Sequence, residues 1–137
     1  MDMKPKTILI ADEQQDIPVL RLALGDAFDV TVSITFNDAL HQLETRRFNA
    51  ILCGLHFDEG RMFDLLNLVK SRQNTKDIPF ICINTLNTVL SDAVIRVVEV
   101  AANATGTHGF IEFSKWRKEL GDDAAFAKLR NYVADLP

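Results

Sequence analysis

The sequence has few of the residues that build disulfide-rich, metal-binding or membrane proteins. It contains two cysteines, Cys53 and Cys82, both inside apolar runs, which argues against a secreted domain held by disulfides. There is no CxxC pair or Cys/His cluster with zinc spacing, and the three histidines are scattered, so we expect no metal site built on them. No apolar run approaches a membrane span, and the first is too short for a signal peptide. We therefore expect a cytoplasmic protein that does not contact a membrane.

An excess of positive charge is also missing. Lys and Arg number 15 against 19 Asp and Glu, and the formal net charge is -4, so we expect no nucleic-acid partner. Hydrophobic residues make up 47% of the chain and charged residues 25%, which is typical of a folded globular protein and excludes disorder. The 137 residues correspond to one domain, which we assign to residues 1–137.

Five short apolar runs alternate with helical patterns along the chain. Runs that are apolar on both faces and rich in β-branched residues are typical of central strands in a parallel sheet. The predicted strands are residues 7–11, 28–34, 50–54, 80–84 and 109–113, and the last predicted helix covers about residues 122–136. Crossovers of this length are right-handed, so the pattern predicts a flavodoxin-like, doubly wound α/β fold. We expect a five-stranded parallel sheet of order 2-1-3-4-5 with helices on both faces.

Side chains at the helix ends and along one helix give further predictions. Thr35 followed by Asp38 resembles a capping box at the start of the second helix, and Asp16 is a candidate cap for the first. The most regular apolar stripe lies at residues 90–101. It indicates either a protein-binding surface or a long core helix.

The side chains most informative about chemistry stand directly after the first strand. In an open α/β sheet, ligands bind beyond the carboxyl ends of the strands. Asp12 and Glu13 are adjacent carboxylates at such an end, which indicates either a bound cation or stabilisation of the next helix N-terminus. We interpret the loop at residues 55–60 as solvated rather than metal-binding, and TGTHG at residues 105–109 as a plain turn rather than a phosphate loop.

The segment KTILIADEQQD, followed by five strand–helix units, resembles the receiver domain of bacterial two-component response regulators over residues 6–135. Members of that family hold Mg²⁺ with an acidic pair after the first strand. They accept a phosphoryl group from a histidine kinase on an aspartate that ends the third strand. A Thr or Ser ends their fourth strand, and a Lys-Pro pair ends their fifth. The resemblance implies a role in two-component signal transduction and phosphorelay.

The chain departs from that family at most of these positions. The acidic pair is retained as Asp12 and Glu13, but Gly54 stands where the acceptor aspartate belongs. Asn84 takes the Thr/Ser position, and Phe113 takes the lysine position. Glycine supplies neither a nucleophile nor a metal ligand, so the pocket is not expected to transfer a phosphoryl group. We expect no catalytic residue, no cofactor and at most weak Mg²⁺ binding by the remaining acidic pair.

The resemblance therefore implies a stand-alone, degenerate receiver, or pseudo-receiver, which binds proteins independently of phosphorylation and is not an enzyme. Phe110 matches an aromatic position of the family and is either a fixed packing residue or part of an interaction face. Trp116 lies in a short basic stretch and either belongs to that interaction face or covers the end of the sheet. The partner would be a histidine kinase, an effector or a second copy, bound through the fourth helix, fifth strand and fifth helix. Two alternatives stay open: a phosphorylatable regulator with a rearranged site, and a small flavodoxin-like protein that binds a nucleotide or cofactor.

The spacing along the third and fourth strands predicts their register. If both strands end together, Gly54 lies beside Asn84. Successive side chains point to opposite faces of a sheet, so Cys53 and Cys82 would then lie on opposite faces and form no disulfide.

Overall fold

Five parallel strands form one sheet in a computed structural model of the chain, which describes residues 4–86 and 92–137. The strands are β1 (Thr7–Ala11), β2 (Asp29–Ser33), β3 (Ala50–Gly54), β4 (Phe80–Asn84) and β5 (Gly109–Glu112). Their order is β2-β1-β3-β4-β5, with every neighbouring pair parallel. The predicted flavodoxin-like fold is confirmed. The order reverses between β1 and β3, so a crevice lies at the carboxyl ends of these strands.

Helices cover both faces of the sheet. They are α1 (Ile17–Leu24), α2 (Phe36–Thr45), α3 (Phe57–Gly60), α4 (Met62–Ser71), α5 (Asp92–Thr105), α6 (Phe113–Leu120) and α7 (Asp122–Ala134), with a short 3₁₀ turn at Gly25–Ala27. Within the described part of the chain, no helix combines the length and the apolar character needed to cross a membrane.

Alternation along the strands divides the core into two layers. On β1, Ile8 and Ile10 pack with α1 and α7, whereas Leu9 and Ala11 pack with α2 and α4 on the other face. Strands β3 and β4 are buried along their whole length, as continuous apolar runs in a parallel sheet should be. Each fully buried Leu or Ile side chain contributes roughly 1.5–3 kcal/mol to the stability of the folded state, so the central strands form a stable scaffold for the site.

Of the two predicted helix caps, the Thr35 contact is present and the Asp16 cap is not. The Thr35 hydroxyl accepts a hydrogen bond from the Asp38 amide at 3.1 Å, which confirms that contact of the capping box. The Asp38 carboxylate instead accepts from the Ser33 hydroxyl at 2.6 Å. The prediction that Asp16 caps α1 is wrong, because its backbone is already helical and its side chain makes no capping bond. Asp16 is buried beside the carboxyl of Asp12 instead.

Helix α5 is not a long core helix. Leu90, the first residue of its predicted stripe, lies outside the described residues. Of residues 92–105, only Ala102 is buried. Val97 and Val100 are each 68% exposed. The interpretation as a core helix is therefore wrong for most of the stripe: Val97 and Val100 face outward, whereas Val98 packs partly buried against the core.

An additional helix precedes the predicted last one. Sequence spacing predicts one final helix at about residues 122–136, but α6 begins at Phe113, directly after β5. Gly121 separates α6 from α7 with φ of 80°, a left-handed conformation that favours glycine. Arg117 and Asp122 form an ion pair at 2.9 Å across this glycine. The aromatic and basic stretch around Trp116 is therefore helical.

The register between β3 and β4 differs by one residue from the predicted one. Gly54 pairs with Ile83 rather than with Asn84, and Cys53 pairs directly with Cys82. The prediction that the two cysteines lie on opposite faces is wrong, since both belong to the same core layer. Both thiols are free and buried. Burial raises the pKa of Cys82 to about 11, so its thiol stays protonated and unreactive at neutral pH.

Candidate functional site

Asp12 lies one residue beyond β1 and is completely buried. Its Oδ1 accepts a hydrogen bond from the Glu13 amide at 2.7 Å. Its Oδ2 accepts one from the Thr85 hydroxyl at 3.0 Å. Asp16, on the first turn before α1, is 6% exposed and adjoins the same carboxyl. Four segments therefore meet here: the ends of β1 and β3, the residue after β4 and the start of α1.

The environment of Asp12 favours its neutral form. Burial is the largest cause that raises its pKa, followed by hydrogen bonding to Asp16 and repulsion by its charge. The bonds from Glu13 and Thr85 act in the opposite direction, and the resulting pKa is about 8. At neutral pH most molecules therefore carry a proton on Asp12, and the site contains less negative charge than its carboxyl groups suggest.

Gly54 lies directly beneath the carboxyl of Asp12. A Cβ placed on Gly54 would collide with Cγ and Oδ1 of Asp12 and would lie 2.6 Å from its Oδ2. The structure thus brings together two of the predicted site residues, Asp12 and Gly54. It leaves no room between them for a side chain on residue 54.

The hydroxyl at this site belongs to a residue that the sequence analysis left out of the pocket. Asn84 is buried, but its amide nitrogen donates to Glu112 at 3.2 Å, toward β5. Thr85, the next residue, turns its hydroxyl to Asp12. Comparison with the family by position assigns Asn84 to the Thr/Ser position of the pocket. In the observed register Gly54 pairs with Ile83, so Thr85, two residues further along, lies on the same face of the sheet as Gly54. The one signal for Thr85 was its hydroxyl, adjacent to a strand end.

A buried residue of the hydrophobic core, Phe113, stands at the family's lysine position. Phe113 is completely buried, begins α6 and stacks on Phe126 with ring centroids 5.9 Å apart. Lys115, the nearest lysine in sequence, is exposed and pairs with Glu119 at 4.0 Å along α6. Phe113 therefore supplies no cation to the pocket, and the ion pair of Lys115 lies on the surface of the helix.

The arrangement does not fit a divalent cation. Mg²⁺ is usually held by one or two ionised carboxylates together with waters, at short distances and in near-octahedral geometry. Both oxygens of Asp12 already accept hydrogen bonds, and Gly54 offers no ligand. The Glu13 carboxylate accepts from Gln15 at 3.0 Å. Within residues 4–86 and 92–137, no group of three or more His, Cys, Asp or Glu side chains is arranged to hold a metal ion.

The segment after β3 is only partly the solvated loop that the sequence indicates, because Glu59 and Gly60 are exposed whereas Phe57 is buried. Phe57 is completely buried, and Asp58, Glu59 and Gly60 follow with φ of 43°, 58° and 87° in a left-handed turn. The Asp58 carboxylate accepts a hydrogen bond from the Phe36 amide at 2.8 Å. A carboxylate at the N-terminus of α2 also interacts favourably with the helix dipole. This bond to α2 offsets part of the cost of placing two non-glycine residues in the left-handed region.

The two aromatic residues proposed for an interaction face lie on different layers. Phe110 packs partly buried against the layer containing α2 and α4. Trp116 packs against the layer containing α1 and α7, with the Lys128 ammonium 4.2 Å from its ring centroid. Phe110 belongs to β5 and Trp116 to α6, and their side chains lie on opposite faces of the sheet.

The exposed side of α5 carries an apolar concavity of about 420 Å³, lined by Arg96, Val97, Val100, Ala101 and Ala104. Val97 and Val100 stand one helical turn apart, and we call this pair the α5 valine face. Exposed apolar residues that cluster in this way are typical of protein contacts.

Comparisons with known proteins identify the fold. No protein-family model matches the sequence, and no curated protein sequence matches it. The structure is similar to a response regulator from Hahella chejuensis, at 15% identity and a TM-score of 0.74, covering 96% of each chain. It is also similar to the chemotaxis response regulator CheY4 of Vibrio cholerae, at 16% identity and 0.68, covering 96% of this chain and 99% of that one.

A third similar structure is the receiver domain of the sensor histidine kinase PA1611 from Pseudomonas aeruginosa. It is 17% identical with a TM-score of 0.62, and the match covers 96% of this chain and 99% of that one. That receiver is described with a magnesium ion coordinated in its active-site cleft. At these identities the likeness shows the fold: the chain has the fold of response-regulator receiver domains.

Proposed function

We propose that this chain is a degenerate receiver domain in two-component-type signalling that binds a protein partner independently of phosphorylation. The observation that carries the proposal is the packing of Asp12 onto Gly54. Where a receiver needs an acceptor carboxylate, this chain has glycine, and the carboxyl of Asp12 occupies the space above it. The chain then has no catalytic activity of its own in this pocket.

The charges at the pocket support the same proposal. Aspartyl-phosphate chemistry requires a free carboxylate nucleophile, a divalent cation and a cationic side chain for the phosphoryl oxygens. Asp12 is buried with a pKa of about 8, and a buried core phenylalanine stands at the lysine position. The magnesium-bound cleft of the Pseudomonas receiver is the contrasting case.

The partner surface in this proposal is the α5 valine face with the adjoining edge of β5. Val97 and Val100, each 68% exposed, are the apolar side chains that a partner would cover there. The partner is a histidine kinase, an effector or a second copy of the chain. Phe110 and Trp116 flank this edge and extend the surface to both layers.

The experiment that tests the proposal is incubation with acetyl phosphate and Mg²⁺, read by intact-protein mass. We expect no gain of a phosphoryl group, while a phosphorylatable receiver treated in parallel gains one. A gain on this chain would contradict the proposal and favour the regulator with a rearranged site. Analysis of small molecules released on denaturation tests the nucleotide- or cofactor-binding alternative, for which we expect none.

A further inference from the structure

Gly54 is enclosed so tightly that the absence of its side chain is itself a structural feature. It is buried at the end of β3, and its φ angle is not positive. Its conformation therefore does not require glycine. A Cβ here would overlap the carboxyl of Asp12, whereas real Cβ atoms essentially never come closer than 3.0 Å to another heavy atom. The requirement for glycine thus comes from Asp12.

Asp12 is in turn held over Gly54 by several neighbours. The Glu13 amide and the Thr85 hydroxyl donate to its two oxygens, and Asp16 adjoins it. Moving the carboxyl away would leave the buried Thr85 hydroxyl without this acceptor, at a cost typical of a buried unsatisfied polar group. Asp12 can therefore make room for a side chain on residue 54 only by giving up these bonds.

We propose that Asp12 and Gly54 form a steric interlock, in which the Asp12 carboxyl occupies the space of a side chain on residue 54 and closes the pocket from within. This inference goes beyond the loss of an acceptor, and it holds whether or not the chain signals. Its consequence is that an acceptor on residue 54 and Asp12 in its present position exclude each other. Restoring aspartate at residue 54 alone would not rebuild a receiver site.

The interlock can be separated from simple charge repulsion. Replacing glycine by alanine in a strand ordinarily stabilises a protein, because it reduces the freedom of the unfolded chain. The interlock predicts the opposite here, and it predicts the same direction for Gly54→Ala, Gly54→Asn and Gly54→Asp. Overpacking of this kind should lower the melting temperature by about 5–10 °C. Repulsion between carboxylates would destabilise only Gly54→Asp.

The deciding measurement repeats Gly54→Ala in the Asp12→Ala background. Because the carboxyl is then absent, the added methyl group should leave the melting temperature unchanged or raise it. An equal fall in both backgrounds, or no fall in the wild-type background, would overturn the interlock. If Gly54→Ala alone fails to fold, the double variant decides: a folded double variant supports the interlock, and an unfolded one beside a folded Asp12→Ala protein overturns it.

Discussion

The carboxyl end of the sheet and the outer side of α5 differ in opposite ways from the usual distribution of buried and exposed side chains. At the sheet end, polar side chains are buried: Asp12, Asp16, Asn84 and Thr85 are each at most 6% exposed. On α5, two valines are exposed instead. Buried polar groups and exposed apolar clusters are the informative exceptions to burial rules, because each carries a free-energy cost.

At the sheet end, hydrogen bonds offset the free-energy cost of burying polar groups. The buried polar groups satisfy one another, since Thr85 bonds to Asp12 and Asn84 bonds to Glu112. On α5, by contrast, Val97 and Val100 stay largely exposed. The contrast is the one that the proposed function expects, with polar groups enclosed at the sheet end and apolar side chains exposed on α5.

The pH dependence of stability should report the buried proton of Asp12. Its pKa is about 8 in the folded protein against an ordinary value of 3.8, so between these values the folded state holds a proton that the unfolded state releases. The stabilisation is complete below pH 4 and is lost as the pH rises toward 8. We expect a contribution approaching about 1.4 kcal/mol per pH unit within that window. Urea denaturation from pH 5 to 8 measures it.

Asp12→Asn is the matched control for this pH dependence. Asparagine has similar shape and no titration, so its stability should fall less between pH 5 and 8 than that of the wild type. Asp16 remains in both proteins but interacts directly with the Asp12 carboxyl, so the difference between the two curves reports the interacting Asp12–Asp16 pair. Parallel curves for the two proteins would show that Asp12 is ionised throughout, and the buried-proton interpretation would fail.

The second prediction concerns the hydroxyl that holds Asp12. Thr85→Val keeps the side-chain shape but removes the donor to Oδ2, leaving a buried carboxyl oxygen without that partner. We expect a loss of about 1–3 kcal/mol in the free energy of unfolding. Thr85→Ser retains the hydroxyl and should lose clearly less. Equal losses for the two variants would mean that packing of the methyl group, rather than the hydrogen bond, stabilises this position.

The strands could be predicted from sequence because their signals are local. Runs such as residues 7–11 and 50–54 are apolar on both faces, and this pattern places them at the centre of a parallel sheet. Register is different, because it depends on hydrogen bonds between strands distant in sequence. Pairing of Gly54 with Ile83 could not be read from the ends of the two strands in sequence, and the one-residue difference hid Thr85.

The same distinction explains the other errors. Asp16 has the sequence position of a helix cap, but contact with Asp12 across the turn determines its role. Helix α6 is polar overall, and its apolar residues Phe113, Trp116 and Leu120 do recur at helical spacing, but the sequence pattern assigns Phe113 to the end of the fifth strand. Its signals were the Lys115–Glu119 spacing and the following Gly121. Occupation of the space above Gly54 depends on a side-chain orientation, which no sequence pattern encodes.

The third prediction tests the surface half of the contrast. Val97→Glu with Val100→Glu replaces exposed side chains, so the free energy of unfolding should change by no more than about 0.5 kcal/mol per site. Self-association at high concentration, measured by sedimentation equilibrium, should weaken. Leu22→Glu on α1 is the matched control, because Leu22 is also 68% exposed. If the wild type stays monomeric at every concentration, a second copy is excluded as the partner.

The smallest expected effect is that of Mg²⁺. Binding would require Asp12 to lose its proton and its bonds to Glu13 and Thr85, and Gly54 adds no ligand in return. We expect millimolar MgCl₂ to produce little change in the amide NMR signals of Asp12, Glu13 and Thr85. NaCl at matched ionic strength controls for screening of surface charge. A saturable shift specific to Mg²⁺ with a sub-millimolar midpoint would show that the pocket opens to a cation. Because Asp12 would then have to leave its position over Gly54, such a result would argue against a permanently closed pocket and would reopen the phosphotransfer alternative.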